Sequence, residues 1–180
     1  VAHLDTLGAN VRALKANGRL SLLPIGTWSS RFAEGARVTL FTDDHAYRGT
    51  ILPLKASGHT FNDAVDSHPV GWPHVELRVD ALSRDGRELA RLSIEVGDIV
   101  AIDPQPEFLD NGFIVSRHLD NKAGVAIMLA AIEALDLKLV NAIDTHTHAD
   151  HITALGDLNQ GMHGYKGPSS WEAVDEQLPG

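Results

Sequence analysis

The chain has 180 residues, 43% of them hydrophobic and none of them cysteine, with a formal net charge of -9 and a pI near 5.5. This length accommodates one ordinary domain or two small ones with a real core. The lack of cysteine excludes disulfides, thiolate metal sites and cysteine nucleophiles. The acidic balance argues against nucleic acid as a partner, because phosphate binding needs a basic face. No apolar run reaches the roughly 18 residues of a membrane span, so no membrane partner is expected.

Residues 1–8 read as the end of a buried strand running into a turn. From Gly18 to about Asp103 the text is β-like: residues 19–24, 37–42, 47–52 and 74–79 alternate or carry β-branched side chains. Glycines and prolines separate them at short spacing, which suits a small barrel or sandwich. Residues 79–90 fit either a short helix or a hairpin turning at Asp85-Gly86. Residues 99–102 read as another strand, 116–124 as a loop, and 123–135 as a helix. That helix is apolar on nearly every side and is therefore expected to be buried. Residues 137–143 read as a strand, 144–151 as a polar, histidine-rich loop, and 152–158 as the start of a helix. After Asn159 the chain loses periodicity, and Ser169 or Ser170 fits the cap of a short helix running through Gln177. The opening Val1-Ala2-His3 shows no charged leader, which is read as no signal peptide and as compatible with a cytoplasmic setting.

Three constellations carry chemistry. In His3-Leu4-Asp5 a neutral imidazole is a good zinc or cobalt ligand. A carboxylate two residues on, on the same strand face, can hold the ring's second nitrogen and fix its tautomer. Asp120, just before the 123–135 helix, can bridge two cations with its two oxygens; it fits an ordinary helix N-cap equally well. His146, His148, Asp150 and His151 place four ligand-type residues within six positions of a loop after a strand, although a polar surface turn has the same look. No Gly-x-Ser-x-Gly elbow and no phosphate-binding Gly-x-x-x-x-Gly-Lys loop is present. Trp28, Trp72 and Trp171 read as packing residues, and His45, His59, His68 and His74 as structural or surface residues.

Several short motifs occur in order: Ala2-His3-Leu4-Asp5-Thr6-Leu7-Gly8, Pro24-Ile25-Gly26-Thr27-Trp28, Arg48-Gly49-Thr50-Ile51, Val96-Gly97-Asp98, and the run from Ser116 to Gly124. This set resembles the deblocking and glutamyl aminopeptidases, the tetrahedral aminopeptidases, over about residues 1–135. The resemblance implies an α/β fold, in which a peptidase sheet-and-helix domain is interrupted by a small β-barrel that serves dimers and larger shells. On this chain it implies peptidase segments at 1–17 and 104–135 and an inserted barrel at 18–103. It also implies His3 as a ligand of one metal, Asp5 as the catalytic residue that orients it, and Asp120 as the bridge between two zinc or cobalt ions. Asn121 stands where the family usually has a second Asp, and Lys122 where it has Arg or Lys. The implied substrate is a short peptide with a free amino end, and the implied partner is a second copy in a homo-oligomer. The family's general-base Glu-Glu pair, a further acidic ligand and a late His belong after Asp120; no Glu-Glu pair occurs in the chain.

The wording of residues 137–158 resembles instead the metallo-β-lactamase fold, nearest its persulfide dioxygenase branch. That implies a C-terminal fragment at 136–180 whose His146, His148, Asp150 and His151 hold iron or zinc. Two metallo-hydrolase folds would then meet near Leu135 to Leu137. Two other readings remain open: a non-catalytic, self-associating β domain, and a fragment of a metallo-β-lactamase-fold hydrolase or dioxygenase.

Overall fold

The computed structural model describes residues 2–138 and the strands at 141–144, 163–166 and 176–177. The chain divides into two compact units: Thr6–His118, and a second made of Val1–Asp5 with Leu119–Gly180.

The first unit is built on a closed barrel of six antiparallel strands. They are β1 (Gly8–Leu14), β2 (Leu20–Ile25), β3 (Arg37–Phe41), β4 (Ala46–Pro53), β5 (Val75–Val79) and β6 (Ile99–Ile102), in the order β1-β2-β5-β4-β3-β6. A short helix, α1 (Gly58–Phe61), lies between β4 and β5, and α2 (Gly86–Arg91) between β5 and β6. After β6 comes a two-stranded ribbon of β7 (Glu107–Phe108) and β8 (Ile114–Val115).

Strand alternation explains the barrel's core. Ala9 and Val11, Leu20 and Leu22, Val38 and Leu40, Ile51, the triplet Val75, Leu77 and Val79, and the pair Val100 and Ile102 are each at most 4% exposed. Successive residues of a strand point to opposite faces, so an i, i+2 apolar pattern fills one side of a closed sheet. Leu89 of α2 and Ile94 beyond it join the same core. Trp28 and Trp72 pack edge-to-face at 4.8 Å against this core. Their indole nitrogens donate to the carbonyls of Gly8 and Trp28 respectively.

Several expectations are corrected. Residues 2–7 carry no regular structure, and the first strand begins at Gly8. β1 finds its partners in β2 and β6, and nothing described pairs with 2–7. β1 joins the other five strands in the closed ring, within the unit Thr6–His118. Of the two readings of residues 79–90, the short helix holds, at Gly86–Arg91. Asp85 Oδ1 accepts from the amides of Arg87 at 2.8 Å and Glu88 at 2.9 Å, which satisfies two of the donors a helix start leaves open.

In the second unit the expected helix is present as α3 (Leu119–Ala134), with non-helical backbone at Asp120 and Asn121. Its burial is not: no residue of α3 is buried, and Ile127 and Leu129 are 68% and 63% exposed. A helix apolar on every side needs neighbours on every side, and the described residues supply few. β9 (Asn141–Asp144), β10 (His163–Lys166) and β11 (Glu176–Gln177) form a parallel three-stranded sheet in the order β11-β10-β9. Residues 176–177 are thus strand, where a helix through Gln177 is expected from sequence. Among the described residues no helix is long and apolar enough to cross a membrane.

Ion pairs cross the barrel exterior. Arg48 on β4 holds Asp103 through two hydrogen bonds, one of 2.9 Å from Nη1, and Arg37 on β3 holds Asp80 at 2.5 Å. Hydrogen bonding from Arg48 pushes the Asp103 carboxyl below its usual range, and Arg37 does the same to Asp80. A carboxyl lowered in the folded state contributes stability above its unfolded pKa of about 4 and loses it as pH falls through the folded value. Urea midpoints of the chain are therefore expected to fall between pH 5 and pH 3, and to fall less in Asp103→Asn; equal slopes would remove the pair from the account. Leu77→Ala, at a fully buried position, is expected to cost about 2–5 kcal/mol in the same assay.

Candidate metal centre

The second unit brings together three of the residues singled out from sequence. His3 Nδ1 lies 2.8 Å from Asp5 Oδ1, and His3 Nε2 lies 3.5 Å from Asp120 Oδ1. An imidazole carries one proton when neutral, and the nitrogen that donates it is set by its partner. With Nδ1–H donated to Asp5, the Nε2 lone pair is left on the side of the Asp120 carboxylate. Two donors each about 2.0–2.1 Å from a tetrahedral zinc stand about 3.3 Å apart. The His3–Asp120 separation therefore fits two adjacent ligands of one ion. Asp120 is 97% exposed, so as an ion pair with His3 it adds little to stability, and its oxygens are open to a ligand. His3 and Asp5 leave an irregular segment rather than one face of a strand, yet they pair as an i, i+2 strand arrangement would have paired them.

Asp120 is open because another residue caps the helix. The Asn121 side-chain oxygen accepts from the Gly124 amide at 3.1 Å. That is the bond from an N-cap to the third residue of a helix. A Cβ at Gly124 would lie 2.0 Å from that oxygen and 3.1 Å from Ala2 Cβ, so a side chain there would displace the Asn121 cap. Lys122 Nζ donates to the Leu4 carbonyl at 2.7 Å and ties the start of α3 to the segment that carries His3 and Asp5. The sequence reading offered the cap to Asp120 and overlooked Asn121. The Asn-x-x-Gly spacing at the head of an apolar run was the available signal.

His146, His148, Asp150 and His151 lie outside the described residues, as does Trp171. Among the described residues no group of three or more His, Asp or Glu side chains is arranged to hold an ion. His3 and Asp120 thus supply two donors, where a catalytic zinc generally takes about three from protein.

The family model of the M42 glutamyl aminopeptidases matches residues 1–151. The chain belongs to that family. YhfE of Bacillus subtilis (strain 168) is 39% identical over 135 residues, covering 74% of this chain and 39% of that protein. An aminopeptidase from the archaeon Desulfurococcus kamchatkensis superposes with a TM-score of 0.60 at 28% identity, over 81% of this chain and 36% of its own. The TET1 peptidase of Pyrococcus horikoshii shares the fold, with a TM-score of 0.61 at 19% identity, over 74% of this chain and 38% of its own. The chain therefore spans about two fifths of the length of the M42 relatives it matches. The match through residue 151 takes in residues 137–151 of the stretch 137–158 whose wording resembles the metallo-β-lactamase fold.

Replacing the cap tests this geometry. Asn121→Ala is expected to loosen the start of α3 by about 1 kcal/mol, seen as faster hydrogen exchange at the Gly124 amide. Asn121→Asp should keep that amide protected. Unchanged exchange in the alanine variant would show that the cap is not formed.

Proposed function

We propose that this chain contributes part of the metal centre of an M42 aminopeptidase that removes N-terminal residues from short peptides. The carrying observation is the His3–Asp120 separation of 3.5 Å, with Asp5 on the other ring nitrogen. In this reading His3 and Asp120 would be ligands, Asp120 would be shared by two zinc or cobalt ions, and Asp5 is the catalytic residue that orients His3. Bound divalent ions supply an activated water and polarise a peptide carbonyl. The protein's own part is positional. Asp5 fixes the imidazole tautomer, Asn121 sets the first turn of α3, and Lys122 fastens that turn to the Leu4 carbonyl. No Glu-Glu pair occurs in the 180 residues, so the proposal assigns this chain metal binding and not the general base.

The same proposal treats the barrel as an insert between peptidase segments and the protein as a cytoplasmic homo-oligomer. The P. horikoshii TET1 peptidase, described as assembling into a tetrahedron or an octahedral shell, supports the oligomer. The residues His146, His148, Asp150 and His151 are kept as a second metal loop, for iron or zinc, on their spacing alone. A second reading is a non-catalytic self-associating β module; the closed barrel and its complete core within Thr6–His118 support a module that folds by itself, and not its self-association.

Metal analysis of the purified chain, run beside leucine- and glutamate-anilide hydrolysis, separates the two. The aminopeptidase reading expects bound zinc or cobalt that is lost in Asp120→Ala and held about 10–100-fold more weakly in Asp5→Asn. Metal content unchanged in both variants would overturn the assignment of His3 and Asp120. An oligomer that binds no metal and survives chelation intact would favour the β module.

A further inference from the structure

The chain contains two Asn-Gly pairs, Asn17-Gly18 and Asn111-Gly112, and both sit in the same local turn. Lys15 N donates to the Arg19 carbonyl at 2.8 Å and Gly18 N to the Lys15 carbonyl at 3.1 Å. In the second turn Leu109 N donates to the Phe113 carbonyl and Gly112 N to the Leu109 carbonyl, both at 2.9 Å. Gly18 and Gly112 have φ of +71° and +86°, as the last residue of a three-residue hairpin loop requires. Each asparagine oxygen accepts from the amide two residues on, at 3.2 Å. Asparagine followed by glycine is open to attack by the glycine nitrogen on the side-chain carbonyl carbon, because glycine brings no side chain to obstruct the approach.

Beyond the turn the two sites differ. Asn17-Gly18 joins β1 to β2, which share six register pairs within the closed barrel. Asn17 Nδ2 donates to Glu76 at 3.3 Å. Gly18 is buried, a Cβ on it would lie 2.2 Å from the Ser83 carbonyl oxygen, and Ser83 Oγ donates to its carbonyl at 3.1 Å. Asn111-Gly112 instead joins β7 to β8, which share two register pairs, Glu107 with Val115 and Phe108 with Ile114. Asn111 and Gly112 are both exposed, and Asn111 Nδ2 has no hydrogen-bond partner among the described residues. A Cβ on Gly112 would meet nothing within 4 Å. A two-stranded ribbon is marginal in water, and local opening is cheapest where few contacts hold exposed backbone bonds. Opening releases the Gly112 nitrogen from Leu109.

We propose that Asn111 is a site of spontaneous deamidation and that the fold holds Asn17 back from the same reaction. The Gly112 nitrogen gives up its proton to solvent base and forms a bond to Asn111 Cγ. The Cγ–Nδ2 bond breaks, and Nδ2 takes up a proton and leaves as ammonia. Solvent water then opens the succinimide ring at either carbonyl, giving aspartate or isoaspartate, with nothing oxidised or reduced. Aspartate places a second carboxylate beside Asp110. Isoaspartate adds one carbon to the main chain of the turn and loosens the Leu109–Phe113 closure next to Phe108 and Ile114. The site lies wholly within Thr6–His118 and does not depend on the aminopeptidase reading.

The test is peptide mapping by mass spectrometry, with isoaspartyl methyltransferase labelling, of the full chain aged in mildly alkaline buffer. The same chain unfolded in guanidinium chloride gives the rates of the two pairs without structure. Folding is expected to raise the ratio of Asn111 to Asn17 conversion tenfold or more over that reference. The isoaspartate label of the folded chain should be lost in Asn111→Ser. A ratio unchanged or inverted by folding, or a label that persists at the parent level in Asn111→Ser, overturns the proposal.

Discussion

The pairing of β1 with β6 is the constraint on which the architecture depends. Gly8 and Ala101 are register partners, and this contact converts five sequential strands and an earlier one into a ring without edges. A closed barrel leaves no row of unpaired backbone groups to recruit another chain. It also places the strand that enters the barrel beside the strand that leaves it. A module whose ends are neighbours can be inserted into another domain without forcing that domain's two segments apart.

At the candidate centre, two adjacent residues divide two tasks that either carboxylate or amide could have performed. A helix start demands an acceptor for its open amides, and Asn121 supplies it. Asp120 is thereby released, on non-helical backbone, to face the His3 ring. Had Asp120 capped the helix, its oxygens would be committed to main-chain donors. The asparagine at 121 supplies the capping oxygen without placing a second charge beside Asp120.

Much of the barrel was legible in the sequence because a strand's period of two is written in residues such as Val38 and Leu40, or Val75, Leu77 and Val79. β1 was harder to place. Gly8–Leu14 carries apolar residues on a bulged strand, with the register shifting between Val11 and Ala13, so its alternation is broken. His3 and Asp5 were found through residue type and spacing, although the strand inferred to hold them is irregular backbone. The exposure of α3 was also beyond sequence reach, since periodicity reports which sides of a helix are apolar and not whether a neighbour covers them.

The two units differ in what sustains them, and this bears on how the chain should respond to metal. The barrel has sixteen buried hydrophobic residues in one cluster and every strand paired on both edges. α3 has an apolar surface and no buried residue, and isolated helices of its length are marginal in water without tertiary packing. A ligand that binds only the folded form stabilises it by mass action. An ion held by His3 and Asp120 would join the segment before the barrel to the start of α3, where Lys122 and Asn121 already act. The energetic benefit of metal would therefore fall on α3 and the segment before the barrel. The barrel, with a core of its own, would be nearly indifferent to chelation, so that loss of the metal centre and loss of the fold are separable events in this chain.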